Sequence, residues 1–294
     1  MNVRPSGSTV PGVDHHRVSV NGTELHYVSA GTAGSPVLLV HGFPETWWVF
    51  HRLIPLLSGR HQVFAVDLRG FGDSATADAE HTGATAAEDL IELIERLDLG
   101  PVHVTGQDIS GPTTFRVAAT RPELVRSYGA IETGLPGFGL ETLADVTHGG
   151  AWHVGLLAAP GIPEMLLTGR ERAFLAEYAF PALCGTPDTF TGDDIDEFAR
   201  SYARTGAFAG ASGLYRSMLT EGDEIRALAT RKLGMPVLAV GGGSGEFTSA
   251  TVRQVAKDVS TVLLEGIGHY AALEAPDRLA DALMSFYKEV DSTE

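Results

Sequence analysis

A carboxylate, a histidine and a second acid stand where short apolar runs end, and together they can carry out covalent hydrolysis. The first lies in Val102-His103-Val104-Thr105-Gly106-Gln107-Asp108-Ile109-Ser110-Gly111. A β-branched run closes at Gly106, and small residues then open a helical stretch through Phe115, Ala118 and Ala119. Strand, sharp turn, helix is the layout of a nucleophile elbow, Gly-x-nucleophile-x-small, whose strained turn leaves no room for bulky neighbours. Asp108 sits where most such elbows carry Ser. A Ser that attacked a saturated carbon would leave a stable ether, whereas a carboxylate leaves an ester that water can cleave. A helix N-terminus also favours a charged Asp108. Ser110 is the rival nucleophile, but it lacks the elbow's flanking glycines and reads as the small residue the turn needs.

The base that would activate water is His269. Of the eleven histidines it alone follows a Gly-rich turn, Gly266-Ile267-Gly268, just before the final helix. The chain order nucleophile, acid, His places the base there. Two acids could orient it. Glu132 follows a strand directly, in Ile131-Glu132-Thr133-Gly134, and is favoured; Glu246 comes late in the turn Gly241-Gly242-Gly243-Ser244-Gly245 and is the alternative. His41-Gly42-Phe43-Pro44-Glu45 closes another strand. A backbone N–H there, at Phe43, can join that of Ile109 as an oxyanion hole. The charges of Asp67-Leu68-Arg69-Gly70-Phe71-Gly72-Asp73-Ser74 read as structural pairing, and Trp47 and Trp48 as helix packing.

The elements that must hold these residues follow from the apolar pattern. Residues 16–20 and 24–28 alternate around Asn21-Gly22, which reads as a hairpin. Residues 36–40, 62–66 and 101–105 are short apolar runs, as buried parallel strands are. Leu90, Leu93, Ile94 and Leu97 form a core-facing helical stripe between two of them. Residues 126–131, 236–240 and 260–264 complete eight strands, and Leu279, Ala282, Leu283 and Phe286 mark a closing helix. Strand–helix alternation means an α/β sheet with helices on both faces. From about 134 to about 221 no strand is evident, and Ile195, Phe198, Ala199 and Tyr202 fall at helical spacing. Such an insert reads as a helical cap over the carboxyl ends of the strands, where open α/β sheets bind ligands. The expected division is 1–133 core, 134–221 cap, 222–294 core.

Composition narrows the partners. A net charge of −16 argues against nucleic acid and anionic membrane surfaces. The single Cys184 excludes an internal disulfide and suits a reducing compartment. The polar stretch before residue 15 lacks the apolar core of a signal peptide, so a cytoplasmic location is expected. With no His or Cys cluster at ligand spacing, neither a metal nor another cofactor is implied. A homodimer is compatible with all of this.

Asp108 in Gly-Gln-Asp, with His41-Gly42-Phe43-Pro44-Glu45, Asp67-Leu68-Arg69-Gly70 and Gly268-His269, resembles the α/β-hydrolase-fold epoxide hydrolases over nearly the whole chain. A closer similarity, to the bacterial subgroup typified by the cystic-fibrosis-channel inhibitory factor, rests on several further stretches. They are Asp108-Ile109, Met235-Pro236 leading to Gly241-Gly242-Gly243, Trp152-His153, Ala199-Arg200-Ser201-Tyr202-Ala203 and Tyr215-Arg216. The resemblance implies a mostly parallel eight-stranded sheet with an inserted cap, and hydrolysis of an epoxide to a vicinal diol through an Asp ester. It implies Glu132 as the charge-relay acid, and a lid His and Tyr, here His153 and Tyr215, as activators of the epoxide oxygen. Gln107 departs from it, standing where the family usually has His.

Tyr178 and Tyr202 lie at core-like helical spacing and read as packing, and the Phe and Leu content of the cap (Leu156, Leu157, Phe174, Phe180, Phe208, Leu214) implies an apolar pocket. Haloalkane dehalogenases, the alternative with the same nucleophile, usually place Trp after the Asp as a halide donor, and fluoroacetate dehalogenases place Arg there. Ile109 can do neither. A non-catalytic receptor use of the fold is the remaining alternative, though such proteins commonly lack a triad member and none is missing here.

Overall fold

In the computed structural model, which describes residues 2–76 and 81–293, nine strands form one sheet. They are β1 (Asn2–Val3), β2 (Asp14–Val20), β3 (Thr23–Ala30), β4 (Pro36–Val40), β5 (Gln62–Val66), β6 (Val102–Gln107), β7 (Val125–Ile131), β8 (Val237–Gly241) and β9 (Val259–Leu263). Their order is β1-β2-β3-β5-β4-β6-β7-β8-β9. The first three strands and the β3–β5 pair are antiparallel, and every pairing from β5 to β9 is parallel. The pattern of apolar runs accounts for eight of these strands. The ninth, β1, is two residues pairing with His15 and His16, too short to carry an alternation signal.

The central strands are apolar on both faces because both faces are covered. Every residue of β4, β6 and β8 is buried. The helix Gly111–Thr120 packs on β6 and β7, and Gly245–Val255 on β8, while the closing helix Pro276–Asp291 also meets β7. Leu38, Leu39, Val104, Phe115, Leu279 and Leu283 at the heart of this packing have no exposed surface. Each such side chain contributes roughly 1.5–3 kcal/mol relative to remaining in water.

Between β7 and β8 the chain makes helices and one isolated β-bridge at Leu233, the helices including Trp152–Ala158, Gly192–Tyr202, Ala209–Thr220 and Gly222–Ala229. Polar anchors tie this excursion to the sheet side. Asp194 accepts from Trp48 Nε1 at 3.0 Å and pairs with Arg52 at 2.9 Å. Arg200 pairs with Asp73 at 3.0 Å, and Arg204 donates to the Ser74 carbonyl. Asp67 is absorbed by His26 Nδ1 and by the N–H groups of Trp47 and Asp73, and Arg69 by Asp89. The charges of residues 67–73 thus serve pairing, and Trp47 is packed out of solvent.

Candidate active site

β6 delivers Asp108 into a turn that only a few residue types tolerate. Its φ is +53°, the left-handed region that costs most side chains energy and suits Asp and Asn best after Gly. Two glycines make the turn sterically possible. A Cβ on Gly106 would sit 2.2 Å from Thr114 Oγ1, and one on Gly42 would sit 2.4 Å from Asp108 Cβ. The close pass of the 41–45 turn brings the Phe43 N–H to 2.9 Å from Asp108 Oδ2, and the Ile109 N–H also binds the carboxylate. His41 braces that turn, with Nδ1 donating to the Gly42 carbonyl and Nε2 accepting from the Leu68 N–H. Ser110 is occupied in holding the elbow. Its Oγ accepts the Gln107 N–H at 3.0 Å and lies 2.7 Å from the Gln107 carbonyl and 3.0 Å from that of Val40.

His269 arrives from the turn after β9 and stands between two carboxylates. Its Nε2 is 3.4 Å from Asp108 Oδ1, a separation and alignment of an ion pair rather than of a hydrogen bond. Its Nδ1 is 3.3 Å from Glu132 Oε2. Glu132 projects from the end of β7, also at positive φ (+46°), and is 3 % exposed. The Gly-rich turn after β8 wraps its carboxylate. Gly242 N–H donates to Oε1 at 2.6 Å and Ser244 N–H to both oxygens at 3.0 Å. Glu246, the other candidate acid, is exposed in the first turn of the following helix.

The electrostatics follow from this sandwich. Burial opposes charge on Asp108, but the adjacent His269 cation, with the Phe43 and Ile109 N–H groups, outweighs it and holds the carboxyl below its ordinary range. Burial likewise opposes charge on His269, and the two flanking carboxylates override it, pushing the imidazole up to about 10.

His153 and Tyr215 come from two helices packed on each other, Trp152–Ala158 and Ala209–Thr220. Their ring centroids are 6.1 Å apart and the rings perpendicular. Burial lowers the His153 pKa and raises that of Tyr215 well above its ordinary value, so each presents a neutral donor. Both residues, with Asp108, border two cavities. The smaller, about 40 Å³, is closed by Phe43, Pro44, Phe174, Tyr178 and Tyr270. The larger, about 220 Å³, is lined by Ile109, Leu140, Val154, Met218 and Phe247. Of the apolar residues picked out above between positions 134 and 221, Phe174 faces this space, while Leu157, Phe180, Phe208 and Leu214 are buried in packing.

Two features escape sequence reasoning. The Tyr178 hydroxyl reaches His153 Nδ1 at 3.3 Å, so this residue does more than pack. Glu45 lies beneath the elbow with no exposed surface, held by Gly42 N–H at 2.8 Å and Gln107 Nε2 at 2.6 Å. Burial, then the nearby Asp108 charge, pushes its carboxyl up to about 8. Tyr202, buried against Phe43 and Phe208, remains a packing residue. Among the described residues no group of three His, Cys, Asp or Glu is arranged to hold a metal ion, and no helix is long and apolar enough to cross a membrane.

Known proteins carry the same architecture. The family described as alpha/beta hydrolase fold matches residues 35–152. The soluble epoxide hydrolase of Corynebacterium sp. (strain C12) is 30% identical over 290 residues, spanning 94% of this chain and 97% of that protein. Among solved structures, Cfl2 of Burkholderia cenocepacia superposes with a TM-score of 0.86 at 29% identity, covering 97% of this chain and 100% of that one. The Cif epoxide hydrolase of Acinetobacter nosocomialis gives 0.88 over 95% and 90% of the two chains, at 22% identity a likeness of fold. With an Asp-bearing elbow on that fold and a near full-length relative of this kind, the chain belongs to the α/β-hydrolase-fold epoxide hydrolases.

Proposed function

We propose that this chain hydrolyses an apolar epoxide to a vicinal diol through an ester on Asp108. The observation that carries the reading is the line Asp108–His269–Glu132 at 3.4 and 3.3 Å, facing two neutral donors across an apolar cavity. Asp108 attacks one epoxide carbon and that carbon's bond to the ring oxygen breaks. The electron pair passes to the oxygen, to which His153 and Tyr215 hydrogen-bond. The ester carbonyl keeps the Phe43 and Ile109 N–H bonds that the free carboxylate has. Residues 134–221 act as the cap that supplies the two donors, and residues 1–133 and 222–294 as the core.

His269 changes role between the steps. At rest it is cationic between two anions. Esterification removes the charge of Asp108, and with it one of the two groups that hold the proton. The proton passes to the alkoxide, and the neutral imidazole, held by Glu132, then takes one from water. The hydroxide equivalent adds to the ester carbonyl. The tetrahedral centre breaks its bond to the diol oxygen, which leaves with the proton of the added hydroxyl, and Asp108 returns as a carboxylate beside the protonated His269. Ile109 offers no side-chain donor for a leaving halide, which sets the dehalogenase alternative behind.

Styrene oxide turnover tests the reading, with His269→Ala expected to retain the ester as a mass increase equal to the substrate. An active protein whose His269→Ala variant shows no adduct after complete single turnover would overturn the covalent route.

A further inference from the structure

Tyr178 sits on a π-helical turn, Leu175–Ala179, between two short helical segments. Such turns are rare and recur at functional sites because the extra residue re-aims side chains. Here the widened turn lets Phe174, Tyr178 and Ala179 all face the smaller cavity. The Tyr178 ring is held by Trp152 at 4.6 Å and Phe174 at 5.8 Å between centroids, and its hydroxyl lies 3.3 Å from His153 Nδ1.

A neutral imidazole carries one N–H, and whichever nitrogen is engaged by an outside donor cannot be the one that bears it. With Nδ1 accepting, the proton must be on Nε2, the ring's free nitrogen. With the roles reversed, Nδ1–H would donate to Tyr178 and Nε2 would turn a lone pair toward an epoxide oxygen, which repels it. We propose that Tyr178 is a positioning residue, whose hydroxyl donates to His153 Nδ1 and fixes the Nε2–H tautomer that hydrogen-bonds the epoxide oxygen. Burial raises the Tyr178 pKa, so its proton is present throughout the range in which the site works. The proposal rests on the reading of His153 as a ring-opening donor. It adds a third cap residue that acts on the oxygen only through that histidine.

Nitrogen-15 spectra of the histidine-labelled protein, with the His153 signals identified by their loss in His153→Ala, read the tautomer directly. The expected result is Nε2–H alone in the native protein and both tautomers in Tyr178→Phe. In rapid-quench kinetics Tyr178→Phe should slow ester formation by about three- to tenfold, the range one neutral hydrogen bond commands. Ester hydrolysis and KM should stay unchanged. In the His153→Ala background the same substitution should have no further effect. A native Nδ1–H tautomer would overturn the proposal, and so would an equal slowing by Tyr178→Phe with and without His153. If His153→Ala forms ester at the native rate, the ring-opening role of His153 falls and the Tyr178 role with it. If His153→Ala is slow while Tyr178→Phe leaves both spectrum and rate unchanged, only the Tyr178 role falls.

Discussion

Replacing Glu132 by Gln separates the two chemical steps, and the bonds around it give the size of the effect. The carboxylate accepts from Gly242 and Ser244 N–H groups and faces His269 Nδ1. An amide in its place has one oxygen and one NH₂. If the NH₂ turned toward the backbone, the Gly242 and Ser244 N–H groups would lose their acceptors, at about 0.5–1.5 kcal/mol each. The oxygen therefore stays with Gly242 and Ser244, and the NH₂ faces His269. Nδ1 must then accept, which moves the imidazole proton to Nε2, where a water-activating base needs a lone pair. The same inversion of tautomer in a Ser-His-Asp site costs about 10⁴ in rate, or about 5 kcal/mol. Glu132→Gln should therefore form ester at close to the native rate and release diol about 10⁴-fold more slowly, so that rapid mixing and intact-mass analysis find the enzyme almost fully esterified. Glu246→Gln, at an exposed position, should show neither effect. Native diol release by Glu132→Gln, with accumulation in Glu246→Gln instead, would refute the assignment.

Three further outcomes are expected. A single turnover in heavy-oxygen water should yield mainly unlabelled diol, because the inserted oxygen comes from Asp108; full labelling in the first turnover would mean direct attack by water. Asp108→Asn removes one of the two anions that flank His269, so the imidazole titration followed by NMR should fall from about 10 toward its ordinary value; a midpoint that stays put would show that Glu132 alone sustains it. Glu45 has a folded-state pKa of about 8 against 4.5, so its contribution to stability is complete below pH 4.5 and is lost as pH rises through 8. Glu45→Gln, which cannot ionise, should gain in melting temperature relative to the native protein between pH 5 and pH 9, by the equivalent of a few kcal/mol; a constant difference across that range would exclude a buried proton on Glu45.

What could be read from the chain was read from local signals. Asn21 and Gly22 both have positive φ, as a two-residue hairpin turn requires, and the Asn-Gly pair announced it. The strands that carry Asp108 and Glu132 are apolar runs closed by a polar residue, and the covered faces of the sheet explain why those runs do not alternate. Tyr178 was not legible for a physical reason. Helical spacing assumes 3.6 residues per turn, and the π turn at 175–179 breaks that count where the residue is aimed. The Glu45–Gln107 bond was hidden differently, since it joins the turn after β4 to the end of β6 across 62 positions, and the motifs that contain the two residues do not say that they meet.

Glu45 and Gln107 complete the charge arrangement of the site. Three carboxylates (Asp108, Glu132 and Glu45) crowd one imidazole, and three anions could not share that buried volume with a single cation. The folded site divides them by their partners. Asp108 has two backbone N–H groups and His269, so it holds its charge, while the Glu132 carboxylate is wrapped by the 241–245 turn and faces His269. Glu45 has one backbone N–H and a neutral amide, with the Asp108 charge close by, so it keeps its proton. A histidine at position 107, the usual family residue, could become cationic and stabilise an ionised Glu45; glutamine cannot. Gln107→His should therefore lower the Glu45 pKa below about 8 and abolish the stability lost between pH 5 and pH 9. A Gln107→His protein that loses stability over that range as the native one does would show that the amide has no part in keeping Glu45 neutral.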